Sequence, residues 1–73
     1  MIKLSESQKE IIPLIVEGKT NYQIAEKLNY SVDKIKKDLK GIYKFYDIKG
    51  PAETKRAVLV REIVKTEMTK LMM

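Results

Sequence analysis

The sequence of 73 residues contains no cysteine and no histidine. Without cysteine, the chain can form neither a disulfide nor a zinc site with thiolate ligands. Without histidine, it lacks the residue that most often acts as a general base or as an imidazole metal ligand. The sequence also holds no glycine-rich phosphate loop and no pairing of a nucleophile with a base. We therefore expect a protein that is not an enzyme and that carries neither a metal nor a cofactor.

Proline, glycine and long apolar runs are scarce as well. With two prolines, three glycines and 44% hydrophobic residues, the composition argues against a disordered chain. No stretch reaches the roughly 18 consecutive apolar residues that span a bilayer, and the first five residues form no signal-peptide core. We expect one small cytoplasmic domain over residues 1–73, without a membrane partner, whose stability depends on a single apolar core.

Positive charge is in excess, and it lies in the second half of the chain. Fifteen lysines and arginines against ten acidic residues give a net charge of +5. Residues 1–30 carry no net charge, whereas residues 31–50 carry +3 and residues 51–73 carry +2. A basic half beside a neutral half is typical of a surface that binds a polyanion. The charge alone is about equally consistent with a lysine-rich surface that contacts only water.

Apolar residues recur at helical spacing, and the first half of the chain predicts two helices. A capping box at Ser5 and Gln8 begins the first, and Gly18 ends it with a left-handed cap. Pro13 predicts a kink or an early end within that helix. Thr20 caps a second helix over residues 21–28, which a tight break follows. The buried residues expected in the first helix are Ile11, Ile12, Leu14, Ile15 and Val16, and those in the second are Ile24, Ala25 and Leu28.

A third helix runs from a cap at Ser31 to about Tyr46, and its apolar positions form one stripe. The stripe consists of Val32, Ile35, Leu39, Ile42 and Tyr46. At 100° per residue the other side carries Lys34, Lys37, Lys40 and Lys44, with Lys36 at the boundary. Asp38 can pair with Lys34 four residues earlier.

The fourth helix extends from about Ala52 to about Lys70, with Pro51 suited to its first position. Its apolar residues cover a wider face than burial against one core requires. They are Ala52, Ala57, Val58, Leu59, Val60, Ile63, Val64, Met68 and Leu71. We therefore expect α4 to be buried on a second side as well, and a symmetric partner chain could supply that surface.

Residues 20–46 combine a short helix, a tight turn and a capped helix, which is the helix-turn-helix arrangement. Residues 4–48 resemble the LuxR/GerE-type DNA-binding domain, and above all its stand-alone GerE-like members. The matching segments are L-S-E-S-Q-K-E-I-I at residues 4–12, G-K-T-N-Y-Q-I-A-E-K-L at residues 18–28, and S-V-D-K-I-K-K-D-L-K-G-I-Y-K-F-Y-D-I at residues 31–48.

The resemblance implies an all-α, four-helix domain that regulates transcription as a homodimer on double-stranded DNA. Helix 31–46 is then the recognition helix, and the helix over about residues 52–70 is the dimerisation helix. The residues implied to contact bases are Lys36, Lys37 and Lys40. Those implied to contact phosphates are Thr20, Tyr22, Ser31, Lys34 and Lys44. Those implied at the dimer interface are Val60, Ile63, Val64, Met68 and Leu71.

The chain departs from the family pattern at two positions near the expected DNA face. Asp38 stands where the family has histidine, and a carboxylate there repels phosphate unless Lys34 neutralises it. Tyr22 stands where lysine is common. Two other functions therefore stay open. One is a protein-interaction module that heterodimerises with, or caps, another regulator's DNA-binding domain through a methionine-rich fourth helix. The other is a fragment similar to region 4 of sigma factors, which the long fourth helix fits less well.

Overall fold

Four helices make up the regular structure of residues 3–72, the part of the chain that this computed structural model describes; side-chain surroundings are described for residues 3–66. They are α1 (Glu6–Val16), α2 (Asn21–Leu28), α3 (Val32–Phe45) and α4 (Ala52–Met72). Strands are absent from these described residues, and the expectation of an all-α fold is confirmed. None of the four helices is both long enough and apolar enough to cross a bilayer.

Side-chain hydroxyls fix where the first three helices begin. The backbone N–H of Gln8 donates to Ser5 Oγ at 3.2 Å, and the backbone N–H of Ser5 donates to the side-chain Oε1 of Gln8 at 2.8 Å. Thr20 and Gln23 form the same reciprocal pair at the start of α2. Ser31 Oγ accepts from the Lys34 N–H at 3.1 Å. The three predicted caps are confirmed, and each satisfies backbone donors that a helix start leaves without partners.

Each of the same three helices is followed by a residue whose backbone is in the left-handed conformation, with a positive φ. Gly18 follows α1 with φ +86°, and the Lys19 N–H behind it donates to the Leu14 carbonyl at 3.0 Å. Asn29 follows α2 with φ +59°, as its tolerance of that region predicts. Asp47 takes φ +55° after α3, which brings the Ile48 N–H to the Tyr43 carbonyl at 2.8 Å. Ile48 is thereby turned into the core.

The structure decides two points about the helix boundaries near the prolines. Helix α1 is not cut short at Pro13, because it continues to Val16 with the proline on its exposed side. The predicted start of α4 at Ala52 is confirmed, so Pro51 does not occupy the first helical position. The Pro51 carbonyl instead accepts from the N–H groups of Thr54 and Lys55, both at 3.1 Å. Pro51 is therefore the residue immediately before the helix.

All four helices and the turn before α4 contribute to the core. Its buried residues are Ile11, Leu14, Ile15, Ile24, Ala25, Ile35, Leu39, Ile42, Ile48, Leu59 and Ile63. Two residues expected in the buried stripe of α1 lie further out: Ile12 is half-buried and Val16 is exposed. Helices α1 and α3 approach closely at Gly41, where an added Cβ would meet the side-chain amide of Gln8.

Candidate nucleic-acid interface

Four lysines of α3 are exposed on the side of the helix that faces away from the core. The helix is held by Ile35, Leu39 and Ile42, which are buried on its opposite side. We call these four the lysine row: Lys36, Lys37, Lys40 and Lys44. Among the described side chains, no carboxylate lies within 4.0 Å of their ammonium groups. The row is therefore a patch of unpaired positive charge on one helix.

Lys34 is separate from the lysine row. Its ammonium lies 3.5 Å from Asp38 Oδ2 and 3.4 Å from Ser7 Oγ, and 5.1 Å from the centre of the Tyr30 ring. These groups hold the half-buried Lys34 side chain towards α1. The structure thus places this residue, predicted among the phosphate contacts, between two helices and apart from the row.

Asp38 lies on the same flank of α3. Its side chain is 15% exposed, and its carboxylate accepts a 2.8 Å hydrogen bond from the Ser7 hydroxyl in addition to the ion pair with Lys34. The Gln8 side-chain amide donates to the Asp38 backbone carbonyl at 3.2 Å. The predicted pairing of Lys34 with Asp38 is confirmed. The Asp38 carboxylate is therefore neutralised and faces α1, and Asp33 in the first turn is the exposed acid of α3.

Three further predicted contact residues lie at the starts of α2 and α3. Thr20 and Ser31 are exposed, and both hydroxyls accept the capping hydrogen bonds described above. Tyr22, in the first turn of α2, is 68% exposed and leaves most of its ring in contact with water. The first turns of α2 and α3 therefore both present polar groups and backbone N–H groups at the surface.

A basic groove runs between α3 and the first turns of α4. Its volume is about 470 Å³, and it is lined by Asn21, Lys36, Lys37, Leu39, Lys40, Tyr43, Ala52, Lys55 and Arg56. Five of these side chains are cationic and none is acidic. Leu39, Tyr43 and Ala52 supply its apolar part. The groove thus places two basic residues of α4, Lys55 and Arg56, beside three of the four lysines of the lysine row.

Contacts within the groove fix the two basic residues of α4. The Lys55 ammonium lies 4.9 Å from the centre of the Tyr43 ring, within the range of a cation–π interaction. The Arg56 guanidinium donates to Asn21 Oδ1 at 2.7 Å and to the Lys19 carbonyl, which ties α4 to the start of α2. Burial raises the pKa of the Tyr43 hydroxyl, and the nearby Arg56 charge partly opposes that shift. Lys55 and Arg56 were not among the residues predicted from the sequence, although the K-R pair that begins four residues after Pro51 is a visible signal.

The residues predicted for a dimer interface do not all face outward. Val60 is half-buried and Val64 is 40% exposed, and both lie on one side of α4, four residues apart. Ile63 is only 4% exposed and packs in the chain's own core, which corrects its predicted place at the interface. The side chains of Met68 and Leu71 lie outside the described residues.

The chemistry of this surface is that of charge and hydrogen bonding. Within the described residues, no three of the histidine, cysteine, aspartate and glutamate side chains form a group that could hold a metal ion.

No protein-family model matches the chain, and no curated protein or solved structure matches it. The structure itself defines an all-helical protein with an unpaired lysine row on α3 and a basic groove beside it.

Proposed function

We propose that this protein is a DNA-binding transcriptional regulator of the LuxR/GerE helix-turn-helix type that acts in the cytoplasm. The observation that carries the proposal is the lysine row, which leaves four ammonium groups exposed opposite the buried stripe of α3. The major groove of DNA admits one α-helix, and its walls are lines of phosphates. A helix anchored on one side and cationic on the other is suited to enter it.

The junction between α2 and α3 supports this reading. Asn29 turns the chain in the left-handed region, and Ser31 restarts it as a helix two residues later. Ala25 and Ile35 are both buried where the two helices pack. A helix-turn-helix motif depends on such a rigid angle, because the first helix sets the depth and direction at which the second enters the groove.

The lysine row divides by role in this proposal. Lys36, Lys37 and Lys40 contact base edges, where a lysine ammonium pairs with guanine O6 and N7. Lys44 contacts phosphate, together with Thr20, Tyr22 and Ser31 near the starts of α2 and α3. Phosphate contacts supply most of the affinity and carry no sequence information, so specificity depends on the base-facing lysines.

We further propose that two copies associate through α4. Val64 is exposed on its outer side, half-buried Val60 lies one turn earlier with part of its side chain against the core, and the predicted interface continues to Met68 and Leu71. A two-fold dimer places two recognition helices about 34 Å apart, one turn of the duplex. The target is then a site with two inverted half-sites.

Two measurements on the whole chain test the proposed function. The first is the affinity for duplex DNA as a function of salt, by fluorescence anisotropy, where log K falls with a slope of about −0.9 for each phosphate contacted. The second is selection of bound sequences from a random DNA pool, where we expect a palindromic motif. A protein with no affinity for DNA even at low salt would contradict the proposal.

Sedimentation distinguishes the proposed dimer from the other candidate function. The same outer side of α4 could cover a different regulator, in which case the protein alone is a monomer and selects no palindrome. A self-dimer that selects a palindrome supports the homodimeric regulator instead.

A further inference from the structure

The basic groove contains a cation that the proposed recognition helix does not supply. Lys55 belongs to α4, yet its ammonium lies over the ring of Tyr43, a residue of α3. In the described part of the chain, no carboxylate lies within 4.0 Å of it. Lys36 and Lys40 line the same groove. The positive surface of α3 therefore continues without an intervening acid onto α4.

The position of Lys55 is fixed from both sides. The Arg56 guanidinium, next in the chain, is bonded to Asn21 and to the Lys19 carbonyl at the start of α2. The Tyr43 ring supports the Lys55 ammonium from the other side. Because α4 is tied to α2 at this point, the separation between Lys55 and the lysine row is set by the fold. A fixed spacing of cations suits a target with a regular spacing of anions.

We propose that the basic groove binds the sugar–phosphate backbone of one DNA strand and that Lys55 is its phosphate contact. The proposal rests on the proposed function, since it needs α3 in the major groove. Its chemistry is complementary on two counts. The Lys55 ammonium matches a phosphate, and Leu39, Tyr43 and Ala52 offer apolar surface to the deoxyribose, while Lys36, Lys37 and Lys40 keep their proposed base contacts. The contact positions the domain and carries no sequence preference.

A phosphate scan of the duplex tests this contact directly. In a duplex that the protein binds, each phosphate in turn is replaced by an uncharged methylphosphonate, and affinity is measured for the wild type and for Lys55→Gln. We expect one position per half-site at which the replacement weakens the wild type but leaves Lys55→Gln unaffected. All other sensitive positions are shared by the two proteins.

The salt dependence gives an independent readout. Loss of one phosphate contact in each protomer lowers the slope of log K against log salt by about 1.8 for the proposed dimer, so that the wild type loses about 12-fold more affinity than the variant between 50 and 200 mM salt. The ratio of specific to non-specific affinity stays the same. Lys55→Arg, which keeps the charge, retains the wild-type slope.

Lys49→Gln is the matched control, because it removes one charge from an exposed residue that pairs with Asp47 outside the groove. Thermal unfolding of each variant verifies that it is folded. If Lys55→Gln keeps every methylphosphonate sensitivity and the wild-type slope, the groove contact is refuted while the DNA-binding function stands. If the wild type itself does not bind the duplex, both proposals fail together.

Discussion

The hydroxyl of Ser7 on α1 donates a 2.8 Å hydrogen bond to the carboxylate of Asp38 on α3. Lys34 completes the contact, with its ammonium within 3.5 Å of both side chains. Helix α1 thus covers the flank of α3 that carries an acid, and it leaves the flank that carries the lysine row exposed. The separation of charge on α3 is produced by what packs against each flank.

The coupling between Ser7 and Asp38 is our first prediction. Each change removes this hydrogen bond at a partly buried site, so Ser7→Ala and Asp38→Ala each lower the free energy of unfolding by about 1 kcal/mol. The two losses are not additive, with an interaction of about 0.5–1.5 kcal/mol. Urea unfolding of both single variants and the double variant measures it. Additive losses would mean that the hydrogen bond contributes nothing to stability.

The left-handed conformation of Asn29 gives a prediction about the turn of the helix-turn-helix. A residue with a β-carbon is strained at φ +59°, whereas glycine is not. We expect Asn29→Ala to be less stable than Asn29→Gly by about 1 kcal/mol in thermal or urea unfolding. Because both changes remove the same side-chain amide, their difference isolates the backbone conformation. Equal stability of the two variants would show that residue 29 does not hold a left-handed φ in solution.

Tyr30 yields a prediction about pH. Its hydroxyl donates a 2.9 Å hydrogen bond to Glu10 Oε1, and this bond raises the Tyr30 pKa above the ordinary value of 10.0. A pKa raised in the folded state gives stability that is fully present below pH 10 and is lost as the pH rises through the folded value. The wild type should therefore exceed Tyr30→Phe in stability near neutral pH, and the gap should narrow above pH 10. A gap that is constant across this range would contradict the hydrogen bond.

Val64 provides the prediction for the proposed dimer. Val64→Glu places a charge on the outer side of α4 at an exposed position, so the monomer stays folded while the dimer dissociation constant rises by at least about tenfold. Val16→Glu is the matched control, since Val16 is also 40% exposed but lies at the end of α1. Sedimentation equilibrium compares the two. A dimer that tolerates Val64→Glu as well as Val16→Glu does not use this side of α4.

The helices and the core were largely predictable because they depend on local chemistry. The hydroxyl caps at Ser5, Thr20 and Ser31 and the left-handed residues at Gly18 and Asn29 act within a few residues of themselves. The stripe of α3 buried Ile35, Leu39 and Ile42 as its periodicity requires. Exposure of the lysine row follows from the same periodicity.

Features that depend on which helix covers which flank were not predictable. The sequence predicted the angular position of Lys34 on α3, but it did not predict that α1 packs against this residue. The basic groove requires α4 to start beside Tyr43, which follows from the turn at Asp47 that buries Ile48. The family resemblance implied that Ile63 lies at a dimer interface, and the broad apolar face of α4 does not indicate which part of it the chain's own core uses.

The most direct test compares two double variants that each lose two positive charges. One loses them from the lysine row and the other loses them elsewhere on the surface. Lys36→Gln with Lys40→Gln removes two exposed cations from α3, and Lys9→Gln with Lys49→Gln removes two from outside it. In affinity measurements on a selected and an unrelated duplex, the α3 pair should reduce the specificity ratio by at least about tenfold. The control pair should leave that ratio unchanged. Equal specificity ratios for the two double variants would contradict the claim that α3 reads DNA.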